Sequence, residues 1–289
     1  MSLKASEFIQ NKDGSVYHLN LLPEHLAPTV ITVGDPDRVQ NVTKYFEKVE
    51  FSIHKREFHT QTGYYKGKRI SVISTGIGTD NIDIVFNELD ALVNIDFTTR
   101  TVKKDLTSLD IIRIGTSGSI HADIPVDAFL ISEAAIGFDS LLHFYDSAPI
   151  QDKDFSKALV SHLNWPSQNG LPYFVQGDTD LASKFKDGFH KGITLTNCGF
   201  YGPQGRILRL PVGIPGLNDK LASFEYKGKK ITNLEMETAG IYGLSKLLGH
   251  RALSANAIIA NRATGDFSNN PKETVDRLIQ TTLERIISS

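Results

Sequence analysis

The stretch Asn233-Leu234-Glu235-Met236-Glu237-Thr238-Ala239-Gly240 joins a strand-like segment to a helical pattern. Residues 229–233 approach it as a strand, and apolar residues spaced three and four apart follow it as far as Leu248. Two carboxylates thus stand at a strand-to-helix junction, where α/β folds place their ligands. Carboxylates are also common in the first turn of a helix, because they suit its free N–H groups and its dipole. Both interpretations of Glu235 and Glu237 therefore remain open at this stage.

The composition is that of an ordinary globular protein, with 289 residues, 40% hydrophobic and 22% charged. A net charge of -2 argues against a general nucleic-acid binder. The single cysteine, Cys198, excludes an internal disulfide framework and suits a reducing compartment, and we expect it to be a small buried residue. No apolar run is long enough to cross a membrane, and the polar start lacks a signal-peptide core. The sequence therefore predicts a cytoplasmic protein without membrane contact.

Strand-like and helical patterns alternate along the chain, and no repeat, linker or low-complexity tract interrupts them. This alternation predicts one α/β domain, residues 1–289, built on a mixed sheet. The polar segment Asn94–Asp110 is predicted to be a surface loop or an extension of a helix. The predicted strands lie at 29–33, 51–65 (a hairpin), 69–75, 111–114, 125–132, 192–196, 229–233 and 252–260, and the clearest predicted helices at 80–93, 154–163, 239–248 and 271–287.

Two predicted strands end in glycine turns that lie beside arginine. The first strand runs into Gly34-Asp35-Pro36-Asp37-Arg38, and the third contains Arg113 and is followed by Gly115-Thr116-Ser117-Gly118. Backbone N–H groups at such turns bind anions, and a guanidinium in an apolar strand needs a partner or a ligand. Either turn alone is weak, since Asp37 can equally be a plain helix cap. Together they indicate an oxyanion or phosphate site.

The loop 197–206 combines aromatic, amide and guanidinium groups with several Gly and Pro residues. Phe200 could stack on a planar ring, while Gln204 and Arg206 offer an amide and a fork of donors. A lone histidine such as His18 is more often a surface residue or one with a structural hydrogen bond. No HExxH, CxxC, GxSxG or Walker motif occurs, which argues against a transition-metal site, a nucleophile elbow and a P-loop.

Six motifs, GDPDRV, HKREF, STGIG, RIGTSG, FYGPQGR and LEMETAG, occur in this order over most of the chain. As a set they resemble the uridine phosphorylases of the nucleoside phosphorylase-I family. The resemblance implies a single-domain three-layer α/β/α sandwich around a mixed, distorted β-sheet, assembled as a homodimer and often as a hexamer, a trimer of dimers. It also implies reversible phosphorolysis of uridine to uracil and ribose 1-phosphate, with deoxyuridine and thymidine as alternative substrates, phosphate as co-substrate and no cofactor.

The resemblance further implies a role for individual residues. Arg113, Glu237, Gln204 and Arg206 are the expected catalytic residues. It assigns phosphate to Gly34, Arg38, Arg113 and Thr116, with Arg56 from a neighbouring subunit. It assigns ribose to Glu237, Met236 and Glu235, with His18 across the dimer interface. It assigns the base to Phe200, Gln204 and Arg206, with Arg262 behind them.

The chain departs from the family pattern at two places. Members of the family can hold a monovalent cation such as K+ at the dimer interface, through residues that match Glu57, Ile77 and Asn81. Uridine phosphorylases often have serine where Asn81 stands, which puts that site in question. The segment Asn94–Asp110 is longer than in compact members, and the sequence assigns it no role beyond surface or subunit contact.

Three other functions compete with this interpretation. Purine nucleoside phosphorylases of the family protonate the base with an aspartate after the last strand, where this chain has Arg262. A nucleosidase, which uses water, would not need Arg38, Arg56 and Arg113 around an anion. A non-catalytic nucleoside-binding module would not need a full set of phosphate and ribose residues.

Overall fold

The computed structural model describes residues 2–185 and 187–288, which contain thirteen β-strands and seven α-helices. The strands are β1 (Thr29–Val33), β2 (Lys48–Lys55), β3 (Phe58–Tyr65), β4 (Lys68–Ser74), β5 (Ile95–Asp96), β6 (Thr101–Val102), β7 (Asp110–Ser119), β8 (Phe129–Gly137), β9 (Tyr173–Gln176), β10 (His190–Thr196), β11 (Glu225–Tyr226), β12 (Lys229–Glu235) and β13 (Arg251–Asn261). The helices are α1 (Pro36–Thr43), α2 (Thr79–Asn94), α3 (Lys153–Leu163), α4 (Thr179–Ser183), α5 (Leu217–Ser223), α6 (Thr238–Leu248) and α7 (Pro271–Ile287).

The main sheet is mixed and strongly bent. Its strand order is β11-β12-β10-β8-β13-β7-β1-β4-β3-β2, with β9 added beside β8. The central strands β13, β7, β1 and β4 are parallel, whereas β2, β3 and β4 form antiparallel hairpins. β12 also pairs antiparallel with β7, at Asn233–Ser119 and Leu234–Gly118, so that β12, β10, β8, β13 and β7 close into a ring.

Both faces of the sheet are covered by helices, as the alternation of side chains in β1 illustrates. Val30 packs in a cluster with α2 and α6, while Ile31 packs on the opposite face with α1 and α7. This three-layer α/β/α arrangement around a mixed sheet confirms the predicted fold class. Within the described residues, no helix has both the length and the apolar character required to cross a membrane.

Many of the predicted elements match the structure. β1 and α7 have the predicted bounds, and the helix predicted at 80–93 is α2, one residue longer at each end. These elements carry strong local patterns, either a β-branched run or a long stretch of helical spacing, so local sequence was sufficient to predict them. β8, predicted at 125–132, lies further along the chain, at Phe129–Gly137.

Four local predictions need correction. Residues 115–118, predicted as a turn, continue β7, because their backbone pairs with β13. The helix cap of α1 is Asp35, whose side chain accepts from the Asp37 N–H, and not the alternative Asp37. Cys198 is exposed rather than buried. The segment 94–110 contains the short hairpin β5–β6 instead of a loop or a helix extension.

The junction that carries the two carboxylates is fixed by sheet pairing. β12 lies between β10 and the end of β7, and it leads directly into α6, whose first turn is buried. One hydroxyl anchors this helix to the sheet: Tyr242 Oη donates to the Ser132 carbonyl at 2.6 Å and accepts from the Ser254 N–H at 2.9 Å. The ring of Tyr242 is buried, so water cannot replace these bonds.

We expect Tyr242→Phe to lower the free energy of unfolding by about 1–3 kcal/mol, because two buried backbone groups lose their partner. Urea unfolding at one fixed protein concentration measures the effect. The matched control is Tyr64→Phe, because in residues 2–185 and 187–288 the Tyr64 hydroxyl makes no protein hydrogen bond, and the stability should change little. Equal stability of the two variants would contradict this account of how α6 is held.

Candidate active site

A cleft of about 640 Å³ opens beside the β12–α6 junction. It brings together residues that are far apart in sequence, from the β1–α1 turn, from β7, from the loop after β10 and from the junction itself. The residues expected at the site that line it are Gly34, Arg38, Glu57, Ile77, Asn81, Arg113, Thr116, Phe200, Gln204, Arg206, Glu235, Met236 and Glu237.

The centre of the cleft contains a buried ion cluster. Arg113 Nη2 lies 2.5 Å from Glu237 Oε2 and 3.2 Å from Glu235 Oε2, and Arg113 Nη1 donates to Asn256 Oδ1 at 3.0 Å. All three charged side chains are at most 7% exposed. An arginine in an apolar strand needs such partners, because an unpaired buried charge is very costly. The partners that the sequence predicts for Arg113 are thus Glu235 and Glu237.

Gly115 makes room for this cluster. Arg113 and Gly115 are two residues apart in β7 and therefore lie on one face of the sheet. A Cβ at position 115 would lie only 1.7 Å from Arg113 Nη1 and 2.4 Å from Arg113 Cζ. The guanidinium can fold across the strand only because residue 115 has no side chain.

Glu235 has almost no acceptor capacity left. Its oxygens accept from Thr196 Oγ1 at 2.6 Å, from the Glu237 N–H at 3.0 Å and from both the N–H and the hydroxyl of Thr238. These bonds satisfy the start of α6, as a helix cap does. Burial raises the pKa of Glu235, and the charge of Arg113 opposes that shift. The side chain holds the junction together rather than facing the cleft with free lone pairs.

Glu237 differs from Glu235 in its remaining capacity. Oε1 accepts from the Gly78 N–H at 2.9 Å, and Oε2 accepts from Arg113. A carboxylate offers about four acceptor positions, so roughly two remain open toward the cleft. Vicinal hydroxyl groups could donate to both. The two carboxylates of the junction therefore have different tasks, although their local sequence is similar.

Arg38 and Thr116 form one end of the cleft, together with the Gly34 turn. The Arg38 guanidinium has one weak hydrogen bond, from Nη1 to the Ile114 carbonyl at 3.5 Å, and in the described part of the chain no carboxylate lies within ion-pair distance of it. Burial, and then the charge of Arg113, lower the pKa of Arg38. An anion bound here would relieve both effects, so this end suits phosphate.

Phe200, Gln204 and Arg206 form the other end. Arg206 Nη1 donates to Gln204 Oε1 at 2.6 Å and to the Phe200 carbonyl at 2.7 Å, and its Cζ lies 3.8 Å from the centre of the Phe200 ring. Behind them, Arg262 Nη1 lies 3.4 Å from the Gln204 carbonyl. Burial, and then Arg262, lower the pKa of Arg206 to about 10, so Arg206 is charged at neutral pH.

His18 and Arg56 do not line the cleft of their own chain. His18 packs against Phe58, which directly follows the Arg56-Glu57 turn between β2 and β3. Arg56 has a φ of 56°, a left-handed conformation that is uncommon outside glycine. The two residues expected to serve a neighbouring subunit are therefore close to each other and outside the site of their own chain.

Glu57, Ile77 and Asn81, which match the cation site of the family, all line the cleft. Carboxylate and carbonyl oxygens suit a hard cation, but Asn81 Nδ2 lies 3.4 Å from the Ile77 carbonyl and competes for that oxygen. The sequence motifs did not include Ile259, Ala260 and Phe267, whose apolar types carry no chemical signal of their own, and they gave no individual role to the small or apolar lining residues within them. The latter are Pro36, Gly76, Ser117, Gly118 and Leu234.

Comparison with known proteins identifies relatives that cover nearly the whole chain. The chain is 29% identical over 272 residues to the uridine phosphorylase of Thermococcus kodakarensis, a match that covers 91% of this chain and 83% of the relative. It is 28% identical over 255 residues to a DeoD-type purine nucleoside phosphorylase of Hahella chejuensis, covering 86% of this chain and 88% of the relative.

Among solved structures, a Trypanosoma brucei nucleoside phosphorylase described as showing uridine phosphorylase activity superposes with a TM-score of 0.88 at 28% identity. That match covers 98% of this chain and 100% of the other. The family model of the phosphorylase superfamily matches residues 28–288, which span every element of the main sheet and the whole of the cleft. The chain therefore belongs to the phosphorylase superfamily.

Proposed function

We propose that this chain, acting as a single domain over residues 1–289, is a uridine phosphorylase. The observation that carries the proposal is the set of charged groups that line one cleft. Arg38 lies near enough to Arg113 and Glu237 for both charges to act on it, whereas the arginine that acts on Arg206 is Arg262. Phosphate at Arg38, ribose at Glu237 and an anionic base at Arg206 would each meet a complementary group.

The reaction breaks the bond between C1′ of ribose and N1 of uracil and forms a bond between a phosphate oxygen and C1′, with inversion. The electron pair of the broken bond stays on uracil, which leaves as an anion and then takes a proton. Arg206 and Gln204 can donate to that anion as its charge develops, which lowers the barrier. Phosphate at Arg38 and Thr116 stabilises the positive charge on the sugar, and the alignment of both reactants lowers the entropic barrier.

Ribose is assigned to Glu237 and Met236. The open acceptor positions of Glu237 suit the 2′- and 3′-hydroxyls, and Met236 offers an apolar surface to the sugar. Arg113 holds Glu237 in place and adds positive charge toward the phosphate. We assign Glu235 a supporting role, because its oxygens are already used at the start of α6.

A purine nucleoside phosphorylase is the alternative, since DeoD-type enzymes are among the relatives. The base end speaks against it. Arg206 and Arg262 lie there together, and a pair of cations favours a base that leaves as an anion. Position 262, where a purine enzyme is expected to have the aspartate that protonates the base, is an arginine in this chain. We therefore favour uridine, with deoxyuridine and thymidine as further candidates.

The proposed enzyme acts in the cytoplasm as a homodimer at least, and as a hexamer if dimers associate further. His18 would then contact the 5′-hydroxyl of the ribose, and Arg56 the phosphate, in a neighbouring cleft. A monovalent cation such as K+ would bind Glu57, the Ile77 carbonyl and Asn81 at the same interface, where it would replace the contact between Asn81 Nδ2 and the Ile77 carbonyl. The proposal requires phosphate but no organic cofactor, and no partner other than small molecules and further copies of the chain.

The first test follows uridine and inosine by ultraviolet absorbance, with and without phosphate. We expect uridine to yield uracil and ribose 1-phosphate only when phosphate is present, because phosphate and not water is the proposed nucleophile. Cleavage of uridine without phosphate would identify a nucleosidase. Turnover of inosine but not of uridine would move the chain to the purine class, and turnover of neither would favour a binding protein.

Two substitutions at opposite ends of the cleft serve as controls for each other. Arg38→Gln should raise the KM for phosphate about 10- to 100-fold, the equivalent of a lost charged hydrogen bond, with a much smaller change for uridine. Arg206→Gln should lower kcat about 100- to 1,000-fold, because a donor to the developing anion is lost. Steady-state kinetics with each substrate varied in turn measures both. Identical effects of the two substitutions would contradict the assignment of the ends.

Gly115→Ala tests the position of Arg113 without altering a charged residue. The new Cβ forces the guanidinium away from Glu237, so we expect kcat/KM for uridine to fall at least about 10-fold, the effect of a lost charged hydrogen bond. The control is Gly213→Ala, since a Cβ at position 213 meets no atom within 4 Å. Wild-type kinetics in Gly115→Ala would show that the Arg113–Glu237 contact is dispensable.

A further inference from the structure

The hairpin formed by β5 and β6 grips the N-terminal segment of the chain. Its tip is shaped by Asp96, whose side chain accepts from the Thr98 and Thr99 N–H groups at 3.0 and 2.7 Å, while the Arg100 N–H donates to the Asp96 carbonyl. Arg100 adopts a φ of 56° there. This geometry directs the Arg100 side chain onto residues 3–10.

Arg100 contacts that segment with all three nitrogens of its guanidinium. Nε donates to the Leu3 carbonyl at 3.1 Å, Nη1 to Gln10 Oε1 at 2.7 Å, and Nη2 to the carbonyls of Lys4 and Phe8. The Arg100 carbonyl in turn accepts from the Leu3 N–H at 2.7 Å. Phe97 adds an edge-on contact with the buried Phe8, at 5.0 Å between ring centres. The guanidinium spreads five N–H donors over three nitrogens in a fixed plane, whereas lysine has three donors on a single nitrogen.

Polar contacts connect the residues that Arg100 holds to the backbone just before His18. Gln10 forms a β-bridge with Val16, and its side chain also donates to the Gly14 carbonyl at 3.2 Å. Asn11 continues the connection, since its amide donates to the Val16 carbonyl at 2.8 Å and its oxygen accepts from Lys55 Nζ. The backbone just before His18 is therefore fixed from both sides.

Glu88 on α2 holds His18 itself. Its Oε1 accepts from the His18 N–H at 2.8 Å and lies 2.7 Å from His18 Nδ1, while Oε2 accepts from the Leu19 N–H at 2.7 Å. A carboxylate at Nδ1 keeps the proton on that nitrogen, so Nε2 of the neutral ring is an acceptor. Among the described residues Nε2 has no hydrogen-bond partner, and the side chain is 26% exposed. Nε2 is thus available for a hydroxyl outside its own chain.

We propose that Arg100 and Glu88 are positioning residues that present His18 Nε2 to the 5′-hydroxyl of a nucleoside bound in a neighbouring copy. This inference rests on the proposed function, which assigns that hydroxyl to His18, and it gives the otherwise unexplained segment 95–102 a task. α2 carries Glu88 and leads directly into the hairpin that carries Arg100, so both supports come from one continuous piece of chain.

The test compares uridine with 5′-deoxyuridine, which lacks the hydroxyl, at saturating phosphate. The readout is the ratio of kcat/KM for the two nucleosides, which a general loss of stability would not change. We expect His18→Ala, Glu88→Ala and Arg100→Ala each to lower this ratio about 5- to 100-fold, the range for a lost hydrogen bond. The lost contact should raise the KM for uridine, and it should affect the kinetics with 5′-deoxyuridine much less, because that nucleoside lacks the hydroxyl.

Arg251→Ala is the matched control, because Arg251 is also a partly exposed arginine that ties two segments, here through Asp110. It should keep the wild-type ratio. In a His18→Ala background, Arg100→Ala should have no additional effect on the ratio, because the residue that it positions is already absent. If Arg100→Ala does not fold, Gln10→Ala removes one contact of the same grip, and a smaller fall in the ratio is expected.

Each failure has a distinct meaning. Wild-type protein that does not cleave uridine with phosphate would overturn the proposed function, and this inference with it. An unchanged ratio in His18→Ala would leave the phosphorylase proposal intact but remove the 5′-hydroxyl contact, and the positioning role would fall. A lowered ratio in His18→Ala together with an unchanged ratio in Arg100→Ala and Gln10→Ala would overturn the role of the hairpin alone.

Discussion

The pairing of one buried arginine with two carboxylates is the constraint on which the site depends. Arg113 comes from the middle of the sheet, whereas Glu235 and Glu237 come from the end of β12 and the start of α6. Two buried carboxylates close together would repel each other strongly without the cation, and the cation alone would be equally costly. The fold is therefore held at the point where the substrate is proposed to bind, because removal of Arg113 would leave two buried carboxylates without a cation.

The cluster also explains the charge pattern at the phosphate end. Arg113 is neutralised by its partners, yet it still lowers the pKa of Arg38, for which the described residues provide no carboxylate at ion-pair distance. Binding of phosphate would supply the missing negative charge from outside the chain. Within residues 2–185 and 187–288, an arginine without a carboxylate partner thus lies where a co-substrate anion is proposed, and an arginine with two carboxylate partners holds the carboxylate that is proposed to bind the sugar. Two arginines of the same residue type serve different tasks because their surroundings differ.

The sequence predicted the elements whose signal is local and failed where distant pairing decides. β1 and α7 follow from an apolar run and a long helical period. Gly115-Thr116-Ser117-Gly118 has the composition of a turn, yet it remains extended because β13 pairs with it. Glu235 and Glu237 could not be separated from local pattern either. Their difference lies in donors from distant parts of the chain, because Thr196 donates to Glu235 and Gly78 donates to Glu237.

The turn Arg56-Glu57 and the nearby His18 form a surface beside the cleft. The two-residue turn Arg56-Glu57 places Glu57 in the cleft of its own chain and keeps Arg56 out of it. His18 packs on Phe58, immediately after that turn, and is likewise outside the cleft. One surface therefore presents both residues that the proposed mechanism needs from a second copy. If two copies meet there, a single contact supplies the cation for phosphate and the acceptor for the 5′-hydroxyl together, so that assembly and a complete active site become the same event.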